Sequence, residues 1–526
     1  MPALLTEHIA RHGSRTAIAD ERGRASWREL GERVSRWAGL LTGRGLRRGD
    51  RVCCVLGNRR ESFEVLLACL HSGITVVPVN WHLTEPEIRY ILADCGARAI
   101  IADEPRAVVA GAAASGSALA AGLVLGHRDA GPLAAAEPAL AAASPAGPAG
   151  ECCGSVMLYT SGTTGHPKGV DNGLFVTGAP FSRVGRMAEY ARAVLDVPAG
   201  ERVLLDGPWY HSAQLFFSLL PLLRGSALII RGRFDPAMTL ETIDREQITS
   251  AHLVPTQFVR LLRLPGAARQ AFSGASLRRV WHGGGPCAPG VKRQMIDWWG
   301  PVFTEYYGAT EGGAVTLISS ADWLRHPGSV GRAVPGCEIL VAGEDGSTLP
   351  PGQAGRIFIR RHTGRTFTYH NAPGKTRAAH LSRDTFTFGE LGYLDDAGYL
   401  YLTGRAQDLI VSGGVNVYPA EVEAVLLTHP LVRDAAVVGL PDDEFGERVA
   451  AIVECDPGTG RPPGELRADL DRHCRRSLAG FKVPREYRFV PALPREDTGK
   501  LRKAALWETA LLETAPREPA QPGTAR

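Results

Sequence analysis

Between Tyr159 and Val170 the chain reads YTSGTTGHPKGV: three glycines, five hydroxyl-bearing residues and one lysine in twelve positions. That composition is too polar and too flexible for a core. On a glycine-rich loop, exposed backbone N–H groups and hydroxyls can converge on a phosphate, and Lys168 can neutralise its charge. The apolar run SVMLY precedes the loop, so a strand is expected to feed it. The spacing is not that of the common P-loop, because no Gly-Lys-Ser/Thr follows the glycines and Lys168 comes after Pro167. The stretch reads as a phosphate cradle, without implying ordinary NTPase chemistry.

Such a loop needs rigid elements to hold it, and the flanking sequence supplies them. Short β-branched runs (DRVCCVLG, ITVVPVN, ARAIIAD) alternate with helical patterns (RESFEVLLACLHS, EPEIRYILADCG), as in βαβ units feeding a parallel sheet. The expected fold class is α/β. The first twenty residues pattern as an amphipathic helix. From about Pro105 to Gly150 the sequence narrows to Ala, Gly, Ser and Pro with almost no aromatics, so it can bury little and is expected as surface helix or loop. After GELGYLDDAGYLYLTGRAQD the pattern changes to a compact unit with strands at DAAVVGL and VAAIVEC and an amphipathic helix at PAEVEAVLLTH. The expected division is 1–404 and 405–512, followed by a Pro- and Ala-rich tail over 513–526 that is expected to be disordered.

At 526 residues the chain exceeds one ordinary core, so several subdomains around a cleft are expected. Apolar residues at 44% and charged residues at 22% match soluble globular proteins. The formal charge of +4 is spread over mixed-sign stretches with no basic-aromatic stripe, which argues against a nucleic-acid partner. The ten cysteines lack paired metal-ligand spacing and are expected to be reduced. Glu7, His8 and Arg11 interrupt the apolar segment that a signal peptide would need, and Pro221, Arg224 and Gly225 break the most apolar run, so neither export nor a membrane span is expected. A cytoplasmic protein follows.

The string YTSGTTGHPKGV resembles the signature loop of the adenylate-forming superfamily, which includes acyl- and aryl-CoA synthetases, luciferases and peptide-synthetase adenylation domains. The resemblance continues in order through PWYHSAQ, HGGGP, YYGATEGG, FGELGYLD, TGRAQDLIVSGGVNVYPAEVE and PREDTGKLRK, and so covers nearly the whole chain. Within the superfamily, SGGVNVYPAEVE and HGGGPCAPGVKRQMIDWWGP look most like bacterial acyl-CoA synthetases. The resemblance implies a large N-terminal domain of sheets and helices and a small mobile α+β lid.

It also implies roles. Thr160, Ser161, Gly162, Thr163, Thr164, Gly165 and Lys168 would hold the β- and γ-phosphates of ATP. Gly283, Gly284 and Gly285, with Tyr306, Tyr307, Gly308, Ala309 and Thr310, would line the adenine and α-phosphate. Glu311 would ligate Mg²⁺, a hard cation that takes carboxylate oxygens. His211 falls at the face that receives the carboxylate and pantetheine, and Trp209, Tyr210, Gln214 and Leu215 are candidates for the acyl pocket. Glu390 stands where the family has Asp for the ribose hydroxyls, and Arg405 resembles its nucleotide-contacting arginine. Gln407 falls on the hinge, which is usually Lys or Asp, and Ser412, Gly413 and Gly414 lie on the loop where pantetheine enters. Lys500 would reach the carboxylate and α-phosphate and neutralise developing charge. The stretch GVDNGLF departs from relatives that carry His and Asn there.

The activity implied is ATP-dependent conversion of a carboxylic acid to an acyl-adenylate and then to acyl-CoA, by a monomer or homodimer. Alternatives left open are transfer to a carrier protein or to a nitrogen nucleophile, including nitrite-dependent diazotisation of an aryl amine. A nucleotide sensor without catalysis would lack Lys168, Glu311 or Lys500, and all three are present. A luciferase-like oxygenase would share every adenylation motif.

Overall fold

The computed structural model describes residues 4–145, 152–160, 167–362, 364, 366–405, 408–412, 415–442, 445–456, 460–496, 501, 502 and 506. Two large sheets carry the N-terminal part. In one, six strands lie in the order Ala134–Ala135, Ala121–Val124, Ala99–Ala102, Arg51–Val55, Thr75–Pro78 and Ser155–Val156, all parallel. Three of these, Arg51–Val55, Thr75–Pro78 and Ala99–Ala102, are the short apolar runs of the sequence. The helices Arg60–His71 and Glu85–Asp94 follow two of them, as the alternating pattern requires.

The second sheet has nine strands. It runs from Arg332–Ala333 through Gly313–Ser319, Phe303–Ala309, Arg279–His282, Ser250–Leu253, Arg202–Leu205, Ala227–Ile230 and Thr16–Asp20 to Gly23–Ser26. Its four central strands, Arg202–Leu205, Ser250–Leu253, Arg279–His282 and Phe303–Ala309, are mutually parallel. Their C-terminal ends therefore open at one edge, where an open α/β sheet places its ligands. A three-stranded sheet of Leu158–Thr160, Lys168–Asp171 and Thr368–Tyr369 brackets the glycine-rich loop. A further antiparallel sheet holds Cys337–Ala342, Gly355–Arg361, Glu390–Leu394 and Leu400–Arg405.

The C-terminal part has a separate sheet and a separate core. Val432–Asp442 and Gly446–Cys455 form a long antiparallel pair, Glu486–Val490 adds a parallel strand, and the helices Pro419–Leu426 and Pro463–Ser477 pack over it. The molecule is thus a large α/β assembly with a small α+β unit. No helix among the described residues is long and apolar enough to cross a membrane. All ten cysteines are free thiols.

Two expectations are corrected. The amphipathic pattern of the first twenty residues divides: the helix is Thr6–His12, and Thr16–Asp20 joins the nine-stranded sheet as a strand. The Ala-rich segment contributes to the core. Ala107, Ala110 and Ala113 on the helix Ala107–Ala114 are buried, and Ala121–Val124 is an inner strand of the six-stranded sheet. Methyl side chains let that helix lie close to the sheet, so shape replaces bulk as the source of burial. The tail assigned to 513–526 lies outside the described residues.

Candidate active site

Four loops meet at the open edge of the nine-stranded sheet. Arg202–Leu205 leads into Gly207–His211, Ser250–Leu253 into Val254, Arg279–His282 into Gly283–Gly285, and Phe303–Ala309 into Thr310 and Glu311. Sequence positions spread over about a hundred residues are gathered by the shared strand direction.

Lys168 and Thr160 are cross-strand partners, so the loop between them leaves and returns at one point. Ser161, Gly162, Thr163, Thr164 and Gly165 lie outside the described residues. The loop's base is tied down by the Tyr159 hydroxyl, which donates to Asp94 Oδ2 at 2.5 Å. The Lys168 ammonium sits 5.0 Å from the centroid of the Tyr369 ring, and the Tyr369 hydroxyl donates to Glu311 Oε1 at 2.9 Å. Partial burial and the Lys375 charge hold the Lys168 ammonium below its ordinary pKa, while Glu311 acts in the opposite direction. Lys168, Lys375, His370 and Asn371 line a groove of about 510 Å³. The groove carries two ammonium groups and the Asp94 carboxylate, and Glu311 is held near Lys168 through Tyr369; the paired cations suit a polyphosphate, and Mg²⁺ takes one or two carboxylates and completes its shell with phosphate and water. Among the described residues no cluster of three or more His, Cys, Asp or Glu side chains could hold a metal alone.

Glu311 is further fixed through its neighbours. Asn172 Nδ2 donates to the Thr310 carbonyl at 2.8 Å, and Arg361 donates to the Gly312 carbonyl. Asn172 belongs to the GVDNGLF departure, and supporting the loop that carries Glu311 is what it does here. Thr310 Oγ1 donates to Ser212 Oγ at 3.0 Å, joining this loop to the first turn of the helix Ser212–Leu223.

The Tyr307 hydroxyl donates to Glu390 Oε2 at 2.9 Å, and Glu390 and Arg405 stand opposite each other on adjacent strands. The longer Glu side chain is thus held by a phenol.

Tyr306 projects from the other face of the same strand, since successive strand residues point oppositely. Its hydroxyl meets His252 Nε2 at 2.9 Å, and His252 Nδ1 lies 3.0 Å from Gln214 Nε2. Burial drives His252 down to about 3, so the imidazole stays neutral. These groups adjoin a cavity of about 40 Å³ lined by Gly207, Pro208, His211, Gln214, His252 and Gly284. His211 is the N-cap residue of Ser212–Leu223, so the positive end of a three-turn helix faces the same region, a placement suited to a carboxylate. Gly283 lies so close to Tyr306 that an added Cβ would come within 2.6 Å of its carbonyl oxygen. Beneath the glycines, the fully buried Lys292 ammonium bonds Glu305 Oε2 at 2.5 Å, tying the helix Pro289–Trp299 to the strand Phe303–Ala309.

The aromatic group suggested for the acyl pocket divides. Trp209 and Leu215 are core residues, with Trp209 Nε1 donating to the Leu56 carbonyl, and Tyr210 packs edge-on against Trp81. Gln214 alone of the four lines the cavity. Ser412 ends the strand Ile410–Ser412 in the C-terminal unit, and Gly413, Gly414, Gln407 and Lys500 lie outside the described residues. Sequence reasoning missed Tyr369, His252 and Asn172. Each is distant in sequence from the motif it serves.

The AMP-binding enzyme profile matches residues 5–367, and the AMP-binding enzyme C-terminal domain profile matches residues 421–500. The chain is 33% identical over 486 residues to the long-chain-fatty-acid–CoA ligase FadD13 of Mycobacterium tuberculosis, covering 92% of this chain and 93% of that protein. It is 34% identical over 493 residues to a feruloyl-CoA synthase from an Amycolatopsis species, covering 93% and 94%. It is 31% identical over 518 residues to the fatty acid–[acyl-carrier-protein] ligase ScoC of Streptomyces coeruleorubidus, covering 95% of each. Its fold superposes on the ATP-bound crystal structure of MatB from Rhodopseudomonas palustris with a TM-score of 0.82 and 30% identity, over 96% of this chain and 98% of that one. None of these four is named for diazotisation, and that alternative draws no support from them.

Proposed function

Because the chain belongs to the AMP-binding enzyme family, we propose that it activates a carboxylic acid with ATP as an acyl-adenylate and then transfers the acyl group to the thiol of CoA. The observation that carries this reading is the unbroken path from the small cavity to the phosphate groove: Ser212 to Thr310, Thr310 to the adjoining Glu311, Glu311 to Tyr369, and Tyr369 to Lys168. An acid seated at one end lies beside a nucleotide seated along the rest.

In the first step a carboxylate oxygen attacks the α-phosphorus, the bond to the β-phosphate oxygen breaks, and pyrophosphate leaves. His211 and the helix end behind it receive the carboxylate. Lys168 meets the leaving phosphates, and Lys500 neutralises charge at the α-phosphate. Glu390, Tyr307 and Arg405 hold the ribose. Mg²⁺ would be held by Glu311 and would supply positive charge to the phosphate oxygens. In the second step the CoA sulfur attacks the acyl carbon and AMP leaves, with the thiol proton released to solvent. Residues 405–512 turn about Gln407 between the steps, bringing Ser412, Gly413 and Gly414 to the pantetheine.

Similarity to ScoC supports a second reading, in which a carrier-protein thiol takes the place of CoA. The test is pyrophosphate release over fatty, cinnamic, benzoic and small acids, with CoA, phosphopantetheinylated carrier protein or an amine as acceptor. Acid-dependent pyrophosphate release with CoA thioester formation is expected. Release without thioester moves the acceptor elsewhere, and no release from any acid sinks the proposal.

A further inference from the structure

Lys375 belongs to none of the sequence motifs, yet it shares a groove with Lys168. The turn that follows the strand Thr368–Tyr369 brings it there. That strand pairs with Lys168–Asp171, placing Val170 opposite Tyr369, and the His370 N–H donates to the Gly169 carbonyl at 2.8 Å. Beyond it the chain bends sharply. Asn371 takes the left-handed conformation at φ 50°, the Tyr369 N–H donates to Thr376 Oγ1 at 3.0 Å, and Thr376 Oγ1 donates to the Ala372 carbonyl at 3.1 Å. Lys375 is the third residue of the helix Pro373–Ala379 that this turn begins.

Asp94 pins both sides of the groove. Its Oδ2 accepts from the Tyr159 hydroxyl, on the strand that enters the glycine-rich loop. Its backbone carbonyl accepts from Asn371 Nδ2 at 3.0 Å and lies 3.1 Å from His370 Nε2, and its Oδ1 lies 3.3 Å from Asn371 Nδ2. The carboxylate that lines the groove is therefore engaged with the walls. The two cations are not: among the described residues neither the Lys168 nor the Lys375 ammonium makes a hydrogen bond or a contact ion pair. After partial burial, the Lys375 charge is what holds the Lys168 ammonium below its ordinary pKa, so the two stand within electrostatic reach. Like charges converging on one open groove repel unless an anion lies between them, and the turn pinned at Asp94 keeps the backbone of Lys375 at the groove.

We infer that Lys375 is a second binding residue for the terminal phosphates of the nucleotide, closing with Lys168 on the pyrophosphate as it leaves. This rests on the acid-activating function proposed above, in which the groove lies at the Lys168 end of the path from Ser212, farthest from the acid. Two ammonium groups on two different elements can each meet one of two adjacent phosphates, so the site favours a diphosphate over the single phosphate of AMP.

The probe is inorganic pyrophosphate, titrated calorimetrically in Mg²⁺-containing buffer against the full chain and its Lys375→Ala, Lys375→Arg and Arg377→Ala variants, with AMP and CoA as parallel titrants. Lys375→Ala is expected to weaken pyrophosphate binding by about 10-fold, the low end for a hydrogen bond to a charged group, because Lys375 is exposed. Lys375→Arg restores most of that loss, and neither variant moves AMP or CoA. Arg377 is exposed on the same helix but does not line the groove, so Arg377→Ala reports the loss of one charge alone and binds pyrophosphate as the wild type does. A wild-type chain that does not bind pyrophosphate, an affinity unchanged in Lys375→Ala, an equal loss in Arg377→Ala, or an equal loss for AMP or CoA would each overturn the assignment. The calorimetry needs no acid, so the two readings part. Lys375-dependent pyrophosphate binding by a protein that activates no acid would remove the proposed function and leave the site, whereas acid-dependent pyrophosphate release with pyrophosphate affinity unchanged in Lys375→Ala would do the reverse.

Discussion

Tyr369 donates its phenolic hydrogen to Glu311 Oε1 across 2.9 Å, so the carboxylate assigned to Mg²⁺ is oriented by a residue 58 positions away in the chain. The same ring lies under the Lys168 ammonium. Tyr369→Phe keeps the ring and removes the hydrogen bond. The KM for ATP is expected to rise by roughly 3- to 10-fold, the net worth of a typical single hydrogen bond, while the KM for the acid holds. Initial-rate kinetics with each substrate varied in turn decide it, and equal changes in both constants would detach Tyr369 from the phosphate side.

Lys168→Ala removes the cation at the groove. We expect kcat/KM for ATP to fall by on the order of 10- to 100-fold through loss of a charge-assisted phosphate contact. Folding should survive, since Lys168 is incompletely buried at the end of a short strand. Pyrophosphate-release kinetics alongside circular dichroism test both halves, and unchanged ATP kinetics would sink the cradle assignment.

Lys500 and Gln407 separate a two-pose cycle from a single fixed site. Lys500→Ala should slow acyl-adenylate formation by on the order of 10²–10³, the loss typical of one preorganised charge-stabilising donor. Supplied with synthetic acyl-adenylate and CoA, the same variant should form thioester at near wild-type rate. Gln407→Pro should show the converse, because proline restricts φ to about −65° and hinders rotation. Single-turnover measurement of each half-reaction is the readout. Equal damage to both steps in both variants would refute the alternation.

Asp206 predicts a pH dependence of stability. Burial raises its carboxyl from the ordinary 3.8 to about 7, against the Thr239 hydrogen bond and the Arg231 charge. A carboxyl whose pKa is higher folded than unfolded holds its proton more tightly in the native state. Its contribution is therefore full below about pH 4 and is lost as pH rises toward 7. Asp206→Asn abolishes that loss, so its Tm relative to wild type should climb across this window, by an amount bounded at roughly 4 kcal/mol for three pKa units. Calorimetry at half-unit pH steps measures the gap. A constant difference would mean that Asp206 is charged throughout.

Much of the site could be read from local strings, because glycine loops and their flanking strands are contiguous in sequence. The phosphate loop, the Gly283–Gly285 turn and the Tyr306–Glu311 segment each declare themselves within a dozen residues. Tyr369 does not, for it sits on a two-residue strand and meets Lys168 only because both join one small sheet. His252 is likewise a single polar residue in a buried strand, and its role appears only when Gln214 and Tyr306 are brought to either side of it. The Ala-rich segment misled for a different reason. Composition measures how much apolar area a segment carries, whereas burial there depends on how closely methyl groups let backbone approach backbone.

Tyr306 and Tyr307 are adjacent, yet one is bonded to His252 and the other to Glu390. In the function proposed above, the pleat of a single strand would partition the two substrates, with the acid read on one side of the sheet and the ribose on the other. Substitutions on separate faces that share no partner combine nearly additively. A lineage built on this strand can therefore exchange one acid for another, step by step, while its hold on the nucleotide is inherited unchanged.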